Sequence, residues 1–431
     1  MTVLLYVLGV LLFAVGLAAS IALHECGHMV PAKRFGVRVP QFFVGFGKTV
    51  WSRRRGETEY GVKAFPLGGY VKLIGMLPPE SRATSEKPGF LGHLVSDARA
   101  AESQLLKPGD ETRMFYRLPW WKKVTVMAGG PTVNLVIAFL LFAAVFGFQG
   151  VPRATTTVGT VSDCVVAVKV GQATPTCTKK DPPSPAQRAR LRSGDKITAF
   201  NGTAITSYDQ LAKLIRANGS GSAALTVVRN GHQTTLHTTT AVNSLPSLDP
   251  KSNAQVKGGF LGITPHEVWV RQSPVFALRQ MGSYTGQTVV ALVHLPVRLW
   301  GTARAALGLQ KRSIDSPVSV VGASRVAGEI TSSKLGGIGA KLASLALLLA
   351  AVNLFVGMFN FVPLLPLDGG HIAGALFEAV RRAIARLRRR PDPGYADIAR
   401  MLPIAYVVAG LFLLMTVVLV YADIVAPIRP Q

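Results

Sequence analysis

The chain has 431 residues, of which 49% are apolar and only 16% charged, and its formal net charge is +25. That composition excludes a disordered or low-complexity chain and argues against an ordinary soluble enzyme, in which about a quarter of residues are charged. Three cysteines are too few for a disulfide-built scaffold, and the positive charge flanks long uncharged runs instead of covering one domain, so a membrane protein is indicated and a nucleic-acid binder is not.

Four runs lack Asp, Glu, Lys and Arg for the ~20 residues that a bilayer requires: Val3 to Leu23, Val124 to Phe148, Leu342 to Leu367 and Met401 to Tyr421. The fold class that follows is an α-helical polytopic membrane protein with four transmembrane helices. Ala18, Ala19 and Ser20 resemble a signal cleavage site, but no Lys or Arg precedes them, so residues 1–35 are read as the first transmembrane helix. In 36–77, the stretch Phe43 to Val71 is rich in Val, Phe, Tyr and Gly and reads as short strands or a hairpin. Residues 78–122 read as an irregular loop, and 123–150 as the second helix.

Residues 151–245 form a separate domain. Ser184 to Gly202 reads as a short helix, a Gly-Asp turn, a strand and an Asn-Gly turn, which resembles a circularly permuted bacterial PDZ domain within an α+β fold; another small α+β or β domain is the alternative. Cys164 and Cys177 fall in an insert before that stretch, where an oxidising exterior favours a disulfide. Residues 246–340 read as a linker followed by amphipathic helices, Met281 to Val297 being too short and polar for a span. Residues 341–380 hold the third transmembrane helix, 381–400 a basic loop and 401–426 the fourth helix. Basic clusters follow the first span (Lys33, Arg34, Arg38, Lys48, Arg53, Arg54, Arg55) and the third (Arg381, Arg382, Arg386, Arg388, Arg389, Arg390). Both are expected in the cytoplasm, which places 151–340 outside.

The chemistry begins at the end of the first span, His24-Glu25-Cys26-Gly27-His28. Positions i and i+4 share a helix face, so two imidazoles can meet one Zn²⁺ while Glu25 reaches its water. The five letters are only moderately specific, but ionisable groups inside a membrane helix are functional by default. Zinc needs another ligand, and Asp368 is the only carboxylate at either end of the third apolar run. Pro363 and Pro366 break the helix just before it, and broken membrane helices are tolerated beside wet cavities. A helix-capping aspartate is the plain alternative. His371 reads as an outer neighbour, since a further protein ligand would close the site.

The two motifs, in this order and with one PDZ-like domain between the second and third spans, resemble the site-2 proteases. These are intramembrane zinc metalloproteases, and the likeness is to the bacterial group that cleaves anti-sigma factors, its actinobacterial members above all. The resemblance covers nearly the whole chain. It implies one Zn²⁺ per chain held by His24, His28 and Asp368, with Glu25 as catalytic base. It also implies that Asn360 holds the substrate backbone or an oxyanion, an interhelical hydrogen bond being the alternative. Val44, Gly45, Phe46 and Gly47 look like the family's membrane-associated β hairpin, where an open strand edge, together with Pro363, would bind an unwound substrate. The expected partners are the lipid bilayer, a single-span substrate such as an anti-sigma factor and an upstream site-1 protease that trims it first. The expected location is the bacterial plasma membrane, with the PDZ domain outside as a gate. Two other functions compete. A zinc peptidase for soluble peptides would carry a large hydrophilic catalytic domain after His28, and a non-catalytic scaffold or transporter could dispense with Glu25.

Overall fold

The computed structural model describes residues 2–78, 90–104, 106–166, 177–178, 181–248, 255–313, 315–334 and 336–428, without the side chains of 66, 67, 90–94 and 400. The chain divides into two compact units, Met1–Phe148 with Ser273–Ile428, and Gln149–Gln272.

Helix α1 (Thr2–Arg34) is apolar for its first two-thirds and ends on Lys33 and Arg34, cations that suit the negative end of the helix dipole. Gly36, at φ 84°, turns the chain out of it. Strands β1 (Gln41–Arg55) and β2 (Thr58–Lys72) follow. Arg55 pairs with Thr58 and Trp51 with Val62, whereas Gln41 to Val44 pair on one side with Glu59 to Val62 and on the other with Gly69 to Lys72. The two long strands therefore fold back into four adjacent rows. Gly45, at φ 95°, sits where β1 reverses, and a Cβ there would stand 2.7 Å from the Phe65 carbonyl oxygen. The segment read as an irregular loop contains a helix, α2 (Phe90–Ser103). It is anchored where the Glu102 carboxylate accepts the amides of Met76 and Leu77. Helix α3 (Trp120–Phe148) then runs through the second apolar stretch.

The second unit contains β3 (Val151–Val161), α4 (Pro185–Arg188), β4 (Lys196–Phe200), β5 (Thr203–Ala204), α5 (Tyr208–Ala217), β6 (Ser222–Arg229), β7 (His232–Thr239), β8 (Ala241–Pro246), β9 (Gln255–Phe260) and β10 (Ile263–Val270). One antiparallel sheet has the order β10-β3-β4-β6-β7 with β5 beside β4, and β8 pairs with β9. The Ser184 and Ser207 hydroxyls cap α4 and α5. Asn201 and Gly202, at φ 48° and 80°, make the tight turn between β4 and β5. Val158, Ile197, Leu211, Leu225, Val227 and Leu261 form the core, and Cys164 and Cys177 are joined by a disulfide. The domain does not stop at 245. Residues 246–272, read as linker, supply β9 and β10, and β10 completes the sheet against β3, a partner more than a hundred residues earlier.

The chain then returns to the first unit with α6 (Pro274–Val293), α7 (Leu295–Ala306), α8 (Val320–Ser332), α9 (Ile338–Asn360), α10 (Asp368–Leu387) and α11 (Leu402–Val425). Among the described residues, α1, α3, α9 and α11 are the helices long and apolar enough to cross a membrane. α8 packs on the N-terminal half of α1 through small residues: a Cβ on Gly9 would meet Thr331, whose hydroxyl donates to the Leu5 carbonyl at 2.8 Å. The third apolar run is not one helix. α9 ends at Asn360, the chain turns over 361–367 around Pro363 and Pro366, and α10 starts at Asp368. α10 also runs on to Leu387, into the stretch read as basic loop, and is bound to α3 by the buried ion pair Lys123–Glu378 at 2.8 Å.

Candidate metal centre

Four helices bring the site together. α1 carries His24 and His28 one turn apart on the face towards α3 and Glu25 towards Gly69 of β2, and α10 opens with Asp368. The crossing of α1 and α3 is made of glycine: a Cβ on Gly27 would lie 2.5 Å from the Gly129 carbonyl oxygen, and one on Gly129 only 1.9 Å from that of Gly27. Small residues allow this backbone approach. They also place the Val126 carbonyl 2.8 Å from His28 Nδ1. The ring nitrogen that faces a carbonyl must carry the proton, so His28 Nε2 presents a lone pair.

The three donor atoms form a near-equilateral triangle. His24 Nε2 and His28 Nε2 are 3.2 Å apart, and Asp368 Oδ2 is 3.4 Å from the first and 3.3 Å from the second. A tetrahedral ion with bonds of 2.0–2.1 Å requires ligand–ligand edges of about 3.3–3.4 Å. Asp368 Oδ2 is buried and, among the described residues, faces no polar partner except the two imidazole nitrogens, a place that a cation shared with those nitrogens would satisfy. Gly130 supplies the space: a Cβ there would be 2.3 Å from His28 Nε2 and 2.7 Å from His24 Nε2. Among the described residues this is the one group of three or more His, Cys, Asp or Glu side chains placed to hold a metal ion. Two imidazoles and one carboxylate oxygen, with room for a further ligand, are a donor set for zinc.

The triangle borders a cavity of about 730 Å³ whose wall includes Glu25, Asn134, Asn353, Asn360, Pro366 and His371. Glu25 and Asn360 therefore share one chamber with the donors. His371 lines it without joining the triangle. Cys26 is a free thiol outside the cavity lining. Pro363 is exposed, and the proline on the wall is Pro366. Val44, Gly45, Phe46 and Gly47 are not on the wall; Gly68 to Lys72 of β2 are. The expected open edge at Val44 is absent because that residue already pairs with Val62 on one side and Gly69 on the other. The strand row that faces the chamber is Gly69–Lys72, with Gly69 pressed against Ile21 and Glu25.

The structure gives roles to three further residues: Gly130 and Asn134 belong to residues 128–134, which resemble the family's second-span opening, and Asn353 belongs to no motif. Gly130 keeps the donor space clear. Asn353, only 2% exposed, donates to the Ser20 hydroxyl at 3.0 Å and so joins α9 to α1. Asn134, 3% exposed, has no hydrogen-bond partner for its side-chain oxygen among the described residues and lines the chamber. A signal for the two amides was available: each stands inside a charge-free apolar run, where a polar side chain needs a partner.

Peptidase family M50 matches residues 12–391. The chain belongs to that family, the site-2 proteases. A relative from Mycobacterium bovis, named zinc metalloprotease Rip1, is 35% identical over 99% of both chains. Proteins of the same name from Mycobacterium tuberculosis and Mycolicibacterium smegmatis are 34% and 30% identical over 99% and 98% of both chains. Family M50 is a family of metallopeptidases, so the chain is an enzyme with a zinc cofactor, consistent with its donor set.

Proposed function

We propose that this M50 member is an intramembrane endopeptidase that hydrolyses a peptide bond in or beside the membrane-spanning helix of a single-span protein. The observation that carries the reading is the His24–His28–Asp368 triangle with Glu25 beside it, built from the ends of helices in a bundle long and apolar enough to cross a bilayer. His24, His28 and Asp368 hold the zinc, which supplies Lewis acidity and lowers the pKa of water towards ~7. Glu25 takes the proton of the attacking water and returns it to the leaving amine. The Nδ1–H bond to Val126 holds the His28 ring in its tautomer, and Gly130 keeps side-chain atoms out of the reaction space. Asn360, at the end of α9, donates to the scissile carbonyl as its oxygen gains charge. A substrate helix hides its amides, so it must unwind first; the Gly69–Lys72 row offers the extended stretch a strand-like neighbour in place of the Val44 edge.

The resemblance extends the reading. The Gln149–Gln272 unit is a PDZ-type domain on the outer side of a bacterial plasma membrane, where it admits substrates already trimmed by a site-1 protease. The basic segments face the cytoplasm, and anti-sigma factors are the substrate class. The test is cleavage of a single-span reporter in membranes by wild type and Glu25→Gln, with bound zinc measured in both. Loss of a proton-transfer group costs typically 10²–10⁴-fold, so cleavage is expected to fall by at least about a hundredfold with zinc retained. Equal cleavage removes Glu25 as the base, and zinc-free wild type removes the site.

A further inference from the structure

A second concave feature lies away from the catalytic chamber, between the last turn of α1 and the tip of the β1–β2 hairpin. It is an open hollow of about 870 Å³ walled by Lys33, Trp51, Arg53, Arg54, Arg55 and Tyr60. Four of those six side chains are cationic and none is a carboxylate. Elsewhere in the same region arginines find acids: Arg38 pairs with Asp110 at 2.7 Å and Arg113 with Glu57 at 2.9 Å. The side chains of Arg53, Arg54 and Arg55 make no hydrogen bond or ion pair among the described residues. Glu57 is held by Arg113, and Glu59, across the strand from Arg54, does not line the hollow. Lys33 is held over it, donating to the Tyr60 hydroxyl at 2.9 Å with its Nζ 5.3 Å from the ring centroid. Four cationic residues line the hollow and no carboxylate does, and an anion with several oxygens there would relieve their mutual repulsion.

The surroundings identify the kind of anion. One wall is the end of α1, a helix long enough to span a membrane. Trp51 and Val50 are exposed on the hairpin, and Phe46 and Phe65 are exposed near its opposite, glycine-rich end. The small sheet thus exposes Phe46, Phe65 and Trp51 and gathers three consecutive arginines at its other end, with Lys48 and Lys63 between, an arrangement suited to the boundary of hydrocarbon and headgroups. We propose that this hollow binds the phosphate of an anionic membrane phospholipid. The proposal depends on α1 spanning the bilayer and not on the peptidase chemistry.

The test is native mass spectrometry of the full chain, delipidated in a neutral detergent and titrated with phosphatidylglycerol or phosphatidylcholine, with inorganic phosphate as competitor. Phosphatidylglycerol is expected to be retained in preference to phosphatidylcholine and not to be displaced by equimolar phosphate. Each surface cation contributes about fivefold to retention of an anionic lipid. The triple variant Arg53→Gln, Arg54→Gln, Arg55→Gln should therefore lose about a hundredfold, while the corresponding three lysine substitutions keep most of the binding. A charge-matched control, Arg386→Gln, Arg389→Gln, Arg390→Gln, should bind as wild type does. Equal loss in the control would reduce the effect to net charge and overturn the site. Stripping by phosphate would reassign the hollow to a free anion, and unchanged retention in the hairpin variant would refute it.

Discussion

Gly130 matters because of what it lacks. It makes no bond to a donor, yet its hydrogen faces the space between the imidazoles, and a methyl group would stand 2.3 Å from His28 Nε2. Gly130→Ala should therefore lower zinc affinity by at least about 10–100-fold, the range seen when groups supporting a metal site are disturbed. Competition with a chromophoric chelator measures this, and wild-type affinity in the alanine variant would show that the helices can part without cost. In the second unit, Asp195 is 1% exposed and accepts two bonds at 2.7 Å from Arg229 as well as the Arg192 amide. Burial pushes its carboxyl up, but the guanidinium and the amide prevail and hold it below the usual carboxylate range. The unfolded chain then binds the proton more readily, so the contribution is complete above the unfolded pKa of ~3.9 and disappears as pH falls through the lower folded value. Asp195→Asn should remove that contribution at neutral pH and flatten the acid limb. Hydrogen exchange along β4 and β6, followed from pH 6 to pH 3 in the full chain, reads both effects.

At the scale of elements, the site depends on α10 starting at the right place. Pro363 and Pro366 end α9, and the buried pair Lys123–Glu378, with side chains 6% and 2% exposed, fixes α10 against α3. Removing one member of a buried pair strands the other charge and costs about 3–5 kcal/mol, whereas replacing both by apolar groups is often close to neutral. Lys123→Met leaves Glu378 with Arg382 and the Ala396 amide as partners, so it should lower the thermal midpoint by less than that full cost implies and weaken zinc binding, and adding Glu378→Leu should restore part of both. Arg382, 3.3 Å from Glu378, also reaches Asp392 and keeps a partner in the double variant. Additive damage in the double variant, read by melting and zinc content, would mean that the pair supplies position and not merely charge balance.

For the whole molecule, what could be read in advance was whatever is local or marked by charge. His24 and His28 declare a shared face by their spacing, and Asp368 stands out as a lone carboxylate after an apolar run. The four long helices follow from the absence of charge alone. What could not be read was long-range: β10 has no reason to be a strand until β3 is beside it, and Val44 pairs on both sides only because β1 and β2 fold back on themselves. Gly130 acts through the approach of α3 to α1, which no spacing within its own helix shows, whereas Asn353 is marked only as a polar residue in an apolar run. α2 lay in polar sequence without a long apolar face and was equally hidden.

The same division bears on what metal removal does to the chain. The proposed ligands join α1 to α10 in the unit of Met1–Phe148 and Ser273–Ile428, whereas Ile197, Leu211, Leu225 and Val227 close a separate core in Gln149–Gln272. Stripping zinc leaves Asp368 Oδ2 and two imidazole nitrogens to share a proton in place of a divalent ion, a loss that the first unit alone must bear. Treatment with a membrane-permeant chelator should therefore speed hydrogen exchange around 24–28 and 368–371, with β4 and β6 unchanged, and added zinc should reverse it. Faster exchange in β4 and β6 as well would show that the second core depends on the metal centre. No change at 24–28 would show that the donor triangle is held by its helices alone, with the ion contributing chemistry and no stability.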